Sequence, residues 1–219
     1  MMTKSYDLFV FDWDGTLSDS AAHIVTSLQA SARDLDLPVP SELASRHIIG
    51  LGLEDALMYL FPGLPRERYR DVAERYKVHY LAGETHLSLF EGVEEGLRAA
   101  QSAGRLLAVA TGKSRRGLDR ALDTTRLKPF FDASRCADEG FAKPHPDMLE
   151  YLLDHLGVSA DRALMIGDTI HDVEMAHGAR MDVIAVTYGA HDPEKLDRAR
   201  PTYTVRSPRE LWQWLNPSV

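Results

Sequence analysis

Two carboxylates two residues apart, Asp12 and Asp14, follow directly on an apolar run and precede Gly15 and Thr16. Like charges that close raise at least one pKa unless a cation lies between them. A hard, oxygen-seeking ion such as Mg2+ resolves the conflict. Gly15 lets the chain turn sharply and approach an anion with its backbone. Taken alone, the segment also suits a plain Asp-Gly turn.

Three more polar clusters lie downstream. Thr111-Gly112-Lys113 offers a hydroxyl and a glycine amide that can donate to phosphate-type oxygens, although Thr111 or Ser114 would equally cap a helix. Lys143, in Ala142-Lys143-Pro144, reads by itself as a solvated turn lysine. Asp168 and Asp172 stand four apart in Gly167-Asp168-Thr169-Ile170-His171-Asp172, where helix capping is the simpler reading.

The elements that must position these clusters are legible in the hydrophobic pattern. Apolar runs of strand length occur at Tyr6–Phe11, Leu106–Ala110, Ala163–Ile166 and Val183–Val186, and more weakly at Tyr203–Val205. Helical periodicity marks Val93–Ala103, Arg115–Thr125, Pro146–Leu156, Ile170–Ala176 and Pro208–Leu215. Alternating strands and helices predict an α/β fold with a mostly parallel sheet covered on both faces. From Ser18 to His86 no strand is predicted. Helices are expected at Ala21–Leu35, Glu54–Phe61 and Glu67–Leu81, with Ser18, Asp19 and Ser20 as candidate caps of the first. Such an insert would sit over the carboxyl end of the first strand, where open α/β sheets bind ligands.

A parallel sheet gathers at one edge whatever follows its strands. That edge would hold four carboxylates for a cation, with a hydroxyl and an ammonium for an anion. This is the equipment of in-line phosphoryl transfer to an aspartate.

With Asp12–Thr16, Thr111, Lys143 and the Asp168/Asp172 pair in this order, the chain resembles haloacid dehalogenase superfamily hydrolases over essentially its whole length. The branch it is similar to is that of the phosphoglycolate phosphatases. The resemblance implies a Rossmann-like doubly wound parallel core from residues 1–17 and 87–219, and a mobile helical cap from 18–86. It implies that Asp12 is the nucleophile, and that Asp14 is the acid toward the leaving group and then the base toward water. Mg2+ would be held by the Asp12 and Asp168 carboxylates and the Asp14 backbone carbonyl. Asp172 would act through water or by orienting Lys143. Thr111, Gly112 and Lys143 would surround the phosphoryl oxygens, with the Gly15-Thr16 turn beside them.

The segment from Arg46 through Gly50 to Gly52 resembles a phosphoglycolate phosphatase cap loop. It would select the substrate, with Arg46 meeting a carboxylate; otherwise Arg46 is a solvated helix residue. Phosphoglycolate is the first substrate expectation. Dehalogenases lack an aspartate at the place of Asp14. Phosphonoacetaldehyde hydrolases use a cap lysine, and the only lysine of this insert, Lys77, lies deep in a predicted helix. The alternatives are a β-phosphoglucomutase-like enzyme, for which His23 stands one position early without a companion lysine, and a non-catalytic phosphoacceptor regulator.

Bulk properties agree with a globular enzyme. The chain has 219 residues, 44% hydrophobic and 26% charged, enough for a substantial core without disulfides. A net charge of −8 argues against a nucleic-acid partner and leaves a small phosphorylated metabolite as the expected one. The single cysteine, Cys136, fits a reducing compartment, and no stretch approaches a membrane span, so a cytoplasmic monomer or homodimer is expected. The nine histidines show no closed ligand spacing and are expected to be surface or core residues.

Overall fold

The computed structural model describes residues 5–83 and 88–216. Its strands are β1 (Leu8–Phe11), β2 (Leu106–Thr111), β3 (Ala133–Cys136), β4 (Ala163–Gly167), β5 (Asp182–Val186) and β6 (Tyr203–Val205). They form one sheet, parallel throughout, in the order β3-β2-β1-β4-β5-β6. This is a doubly wound order, with its switch point beside β1.

Strand alternation divides the core. Phe9 and Phe11 of β1 face one apolar layer, and Leu8 and Val10 face the other. The first layer is covered by α5 (Val93–Ser102), α6 (Arg115–Thr125) and α10 (Pro208–Leu215). The second is covered by α7 (Asp147–Leu156), α8 (Ile170–Gly178) and α9 (Pro193–Arg198). β1, β2 and β4 are buried almost throughout, which explains their continuous apolar sequence.

The insert holds α1 (Ala21–Asp34), α2 (Glu42–His47), α3 (Leu53–Leu60) and α4 (Tyr69–Gly83). They pack through two small apolar clusters of their own. The outgoing and returning chains are tied together: the Asp19 amide donates to the Ser88 carbonyl at 2.9 Å, and the Phe90 amide to the Leu17 carbonyl at 3.0 Å. His86 lies outside the described residues.

Three elements were not foreseen. β3 reads Ala-Ser-Arg-Cys, an edge strand only partly buried and therefore lacking an apolar run. α2 and α9 have six residues each, too short to show a helical period. Ser20 precedes α1 but caps nothing with its side chain. Its hydroxyl goes to Asp14 instead.

Candidate active site

Register brings the clusters together. Phe11 of β1 lies opposite Val109 of β2 and Ile166 of β4. Asp12 is therefore level with Ala110 and Gly167, and Thr111 and Asp168 stand one residue further out. All are at the carboxyl edge, and Asp12, Thr111 and Asp168 are at most 1% exposed.

Lys143 is wholly buried, not a solvated turn residue. Its Nζ lies 2.7 Å from Asp12 Oδ1 and donates to Asp172 Oδ1, also at 2.7 Å. Asp172 both caps a helix and contacts the lysine. Its Oδ2 accepts from the Thr169 amide at 3.0 Å and hydroxyl at 2.7 Å, closing the capping box of α8 while Oδ1 holds the lysine.

Asp168 is seated by two donors, the Thr16 hydroxyl to Oδ1 at 2.9 Å and the Ala190 amide to Oδ2 at 2.6 Å. This changes the expectation for Gly15 and Thr16. The Gly15 amide donates to the Ser18 carbonyl at 2.8 Å, and the Thr16 hydroxyl serves Asp168; neither is turned toward a phosphate. Gly15 has φ +85°, and a Cβ there would collide with the Asp168 carboxylate. The turn exists to let Asp168 in.

Oxygens of Asp12, Asp168 and Asp172 approach within 4.8 Å of one another. Three carboxylates against the one ammonium leave excess negative charge in a buried place. Burial pushes Asp12 up to about 7 against the pull of Lys143, with Asp172 and Asp14 adding to the rise. Burial also raises Asp168 well above the usual carboxylate range, helped by the charges of Asp12 and Asp172. Burial opposes the charge on Lys143, but Asp12 and Asp172 outweigh it and keep the ammonium protonated. Asp12 Oδ2 has no hydrogen-bond partner among the described residues. An orphaned buried oxygen in an all-oxygen donor set fits a hard divalent cation.

The Asp14 side chain is outside this cluster. Ser20 donates to its Oδ1 at 2.6 Å, and Lys113 Nζ lies 3.0 Å from its Oδ2. Lys113 also donates to the Tyr80 hydroxyl of α4 at 2.9 Å. Burial disfavours the Lys113 charge, yet Asp14 and Tyr80 raise its pKa on balance. Lys113, Ser20 and Tyr80 thus surround Asp14 beyond the site residues expected from sequence. The place of Lys113 two residues after Thr111 was a usable signal; nothing in the pattern announced Tyr80.

Above the strand ends, the insert rests directly on the core. Gly50 has φ +92°, and a Cβ on Gly112 would stand 2.7 Å from the Gly50 carbonyl oxygen. One on Gly52 would meet Ala142 Cβ at 2.8 Å, so Gly52 is required by packing. The His47 carbonyl accepts from Nε2 of His171 at 2.8 Å and of His191 at 3.1 Å. His191 Nδ1 accepts from the Ile170 amide at 3.0 Å, which leaves the proton on the nitrogen facing His47. The imidazole nitrogens of these three residues come within 4.8 Å, a clustering that sequence spacing concealed.

A cavity of about 340 Å3 opens between insert and sheet edge, bordered by Asp12, Asp14, Gly50, Gly112, Lys113 and Lys77. Lys77 faces this space despite its helical position. Arg46 does not line it: Arg46 pairs with Glu42 one turn earlier on α2 at 3.0 Å. His23 lies outside the lining too, its Nε2 2.8 Å from the Tyr80 carbonyl oxygen.

Residues 9–186 match the model of the haloacid dehalogenase-like hydrolase family. The chain belongs to this family. Among relatives of this hydrolase is the probable phosphatase IndB of Dickeya dadantii, 37% identical over 90% of this chain and 88% of that one. A phosphoglycolate phosphatase of Nitrosococcus oceani is 29% identical over the full length of both. The crystal structure of a predicted phosphatase from Clostridium acetobutylicum superposes with a TM-score of 0.85 at 28% identity, covering 96% of this chain and 98% of that one. The haloacid dehalogenase-like hydrolase described here is a phosphoric monoester hydrolase that resembles phosphoglycolate phosphatases. No described helix is long and apolar enough to cross a membrane.

Proposed function

We propose that this phosphatase is Mg2+-dependent and hydrolyses a small-molecule phosphate monoester through an aspartyl-phosphate on Asp12. The observation that carries the proposal is the Asp12 carboxylate, buried at the end of the central strand, with one oxygen orphaned and the other against Lys143. It also borders the cavity.

In this reading Asp12 forms the new P–O bond as the ester P–O bond breaks, and Asp14 delivers a proton to the departing oxygen. Asp14 then takes a proton from the water that cleaves the acyl phosphate. The Thr111 hydroxyl accepts from the Lys113 amide at 3.2 Å and keeps its own hydrogen for a phosphoryl oxygen. Lys143 and the Gly112 amide supply the other donors. Asp12, Asp168 and the Asp14 carbonyl would hold Mg2+, which, when bound, neutralises the clustered negative charge and polarises the phosphoryl group. Asp172 positions Lys143. Residues 18–86 act as a cap that closes over the substrate and opens for release.

Phosphoglycolate remains a candidate substrate through the Nitrosococcus relative. The pairing of Arg46 with Glu42 removes the geometric support for carboxylate capture by Arg46. The deciding experiment is rapid-quench with a 32P-labelled ester at low pH. An acid-stable, hydroxylamine-labile adduct that is absent from Asp12→Asn supports the reading. Turnover without any adduct on Asp12 would replace it with direct attack by water.

A further inference from the structure

The cavity above Asp12 extends far beyond what a phosphoryl group can fill. Its outer part is walled by Ile24 and Leu28, one turn apart on α1, by Ile49, by Leu57 of α3 and by Tyr76 of α4. Ile24, Leu28, Ile49 and Leu57 are each 6% exposed or less, so this wall is packed from behind and already formed.

The rim has a different character. Lys77 of α4 and Arg116 and Arg120 of α6 border it, and among the described residues the only acidic ones in the lining are Asp12 and Asp14 on the floor. Those two are matched by Lys143 and Lys113. No ion pair among the described residues involves Lys77 or Arg116 in the way Glu42 occupies Arg46. On a protein of net charge −8, this is a local cationic edge around an apolar chamber.

Two substrate classes fit such a chamber badly. A sugar phosphate would press its hydroxyls against aliphatic walls that cannot replace their bonds to water. A two-carbon ester such as phosphoglycolate would leave most of the volume empty.

We propose, on the strength of the phosphatase reading above, that the leaving alcohol of the physiological substrate has an apolar body of several carbons. That body ends in a second anionic group, which meets Arg116 and Lys77. The apolar wall then selects by area, about fourfold in kcat/KM for each methylene buried. The rim cations select by charge.

The test uses esters that all release a primary alkoxide, so that intrinsic reactivity is similar: 2-phosphoglycolate, glucose 6-phosphate, hexyl phosphate and 7-(phosphonooxy)heptanoate (the carboxyhexyl ester), assayed with Mg2+. The carboxyhexyl ester is expected to exceed phosphoglycolate and glucose 6-phosphate in kcat/KM by about 30-fold or more, with hexyl phosphate between. Arg116→Ala is expected to lower the ratio of carboxyhexyl to hexyl ester about tenfold. A preference for phosphoglycolate or glucose 6-phosphate, or an equal loss on both hexyl esters in Arg116→Ala, overturns the proposal. Acetyl phosphate turnover reports separately on the phosphatase reading. If acetyl phosphate is inert, calorimetry decides: carboxyhexyl phosphate must bind wild-type protein at least tenfold tighter than phosphoglycolate, and equal affinities overturn the assignment.

Discussion

The ammonium of Lys113 stands 3.0 Å from the Asp14 carboxylate, and the same nitrogen holds the Tyr80 hydroxyl at 2.9 Å. The proposed acid is thus tied to the insert through a lysine of the core. Replacing Lys113 by Met should lower kcat on alkyl phosphates by about 10–100-fold, because Asp14 loses its orientation and must protonate a poor leaving group. p-Nitrophenyl phosphate, whose leaving group needs no proton, should lose much less. Equal losses on both esters would separate Lys113 from the acid step.

Asp12→Asn should abolish turnover, by at least about 1000-fold, while leaving the far-ultraviolet circular dichroism and the cooperative melt in place. The amide fills the same space but cannot attack phosphorus. A variant keeping a tenth of wild-type kcat would end the covalent mechanism.

Metal removal offers a test with a readout besides activity. EDTA should abolish turnover and Mg2+ restore it; Ca2+ should bind but support little, since its looser oxygen shell misplaces the nucleophile. Mg2+ should also raise the thermal midpoint by relieving repulsion among Asp12, Asp168 and Asp172. Asp168→Asn should erase that rise. A Mg2+-induced shift that survives in Asp168→Asn would place the ion elsewhere.

Arg46→Ala should change kcat/KM on any ester by less than about twofold, as exposed ion pairs within a helix contribute little. A tenfold loss confined to carboxylate-bearing esters would return Arg46 to the substrate site.

His191 is 5% exposed, and burial, with His171 and His47 nearby, pushes its pKa down to about 4, while Asp172 and the His47 carbonyl oppose the shift. A folded-state pKa below the unfolded value means that the unfolded chain binds the extra proton. The stabilisation is present above about pH 6.5 and fades as pH falls toward 4. Between pH 7 and 5 it amounts to about 2 kcal/mol. Urea titrations of wild type and His191→Gln at both pH values should show a smaller acid loss in the variant. Parallel losses would mean that His191 titrates normally.

The sequence by itself determined the central strands and the gathering of the polar clusters at one edge, though not the edge strand β3. Fully apolar runs of strand length alternating with helical segments read as central strands of a parallel sheet, and such a sheet delivers whatever follows its strands to one edge. Asp12, Thr111 and Asp168 arrive there by register alone, and Gly15 was recognisable as a turn residue. Sequence did not determine how the polar groups share one another. Lys143 looked like a solvated residue because burial is a property of neighbours, and its neighbours Asp12 and Asp172 lie 131 and 29 residues away. Thr16 turned to Asp168 rather than to a phosphate for the same reason. The insert shows the limit most clearly. Its helices were visible from their period, yet which side chains enter the cavity depends on how α1, α3 and α4 rotate onto the sheet edge. That rotation turned Lys77 toward the cavity and left Arg46 on the surface with Glu42. Local pattern fixes secondary structure; only packing between distant segments fixes the direction in which a side chain points.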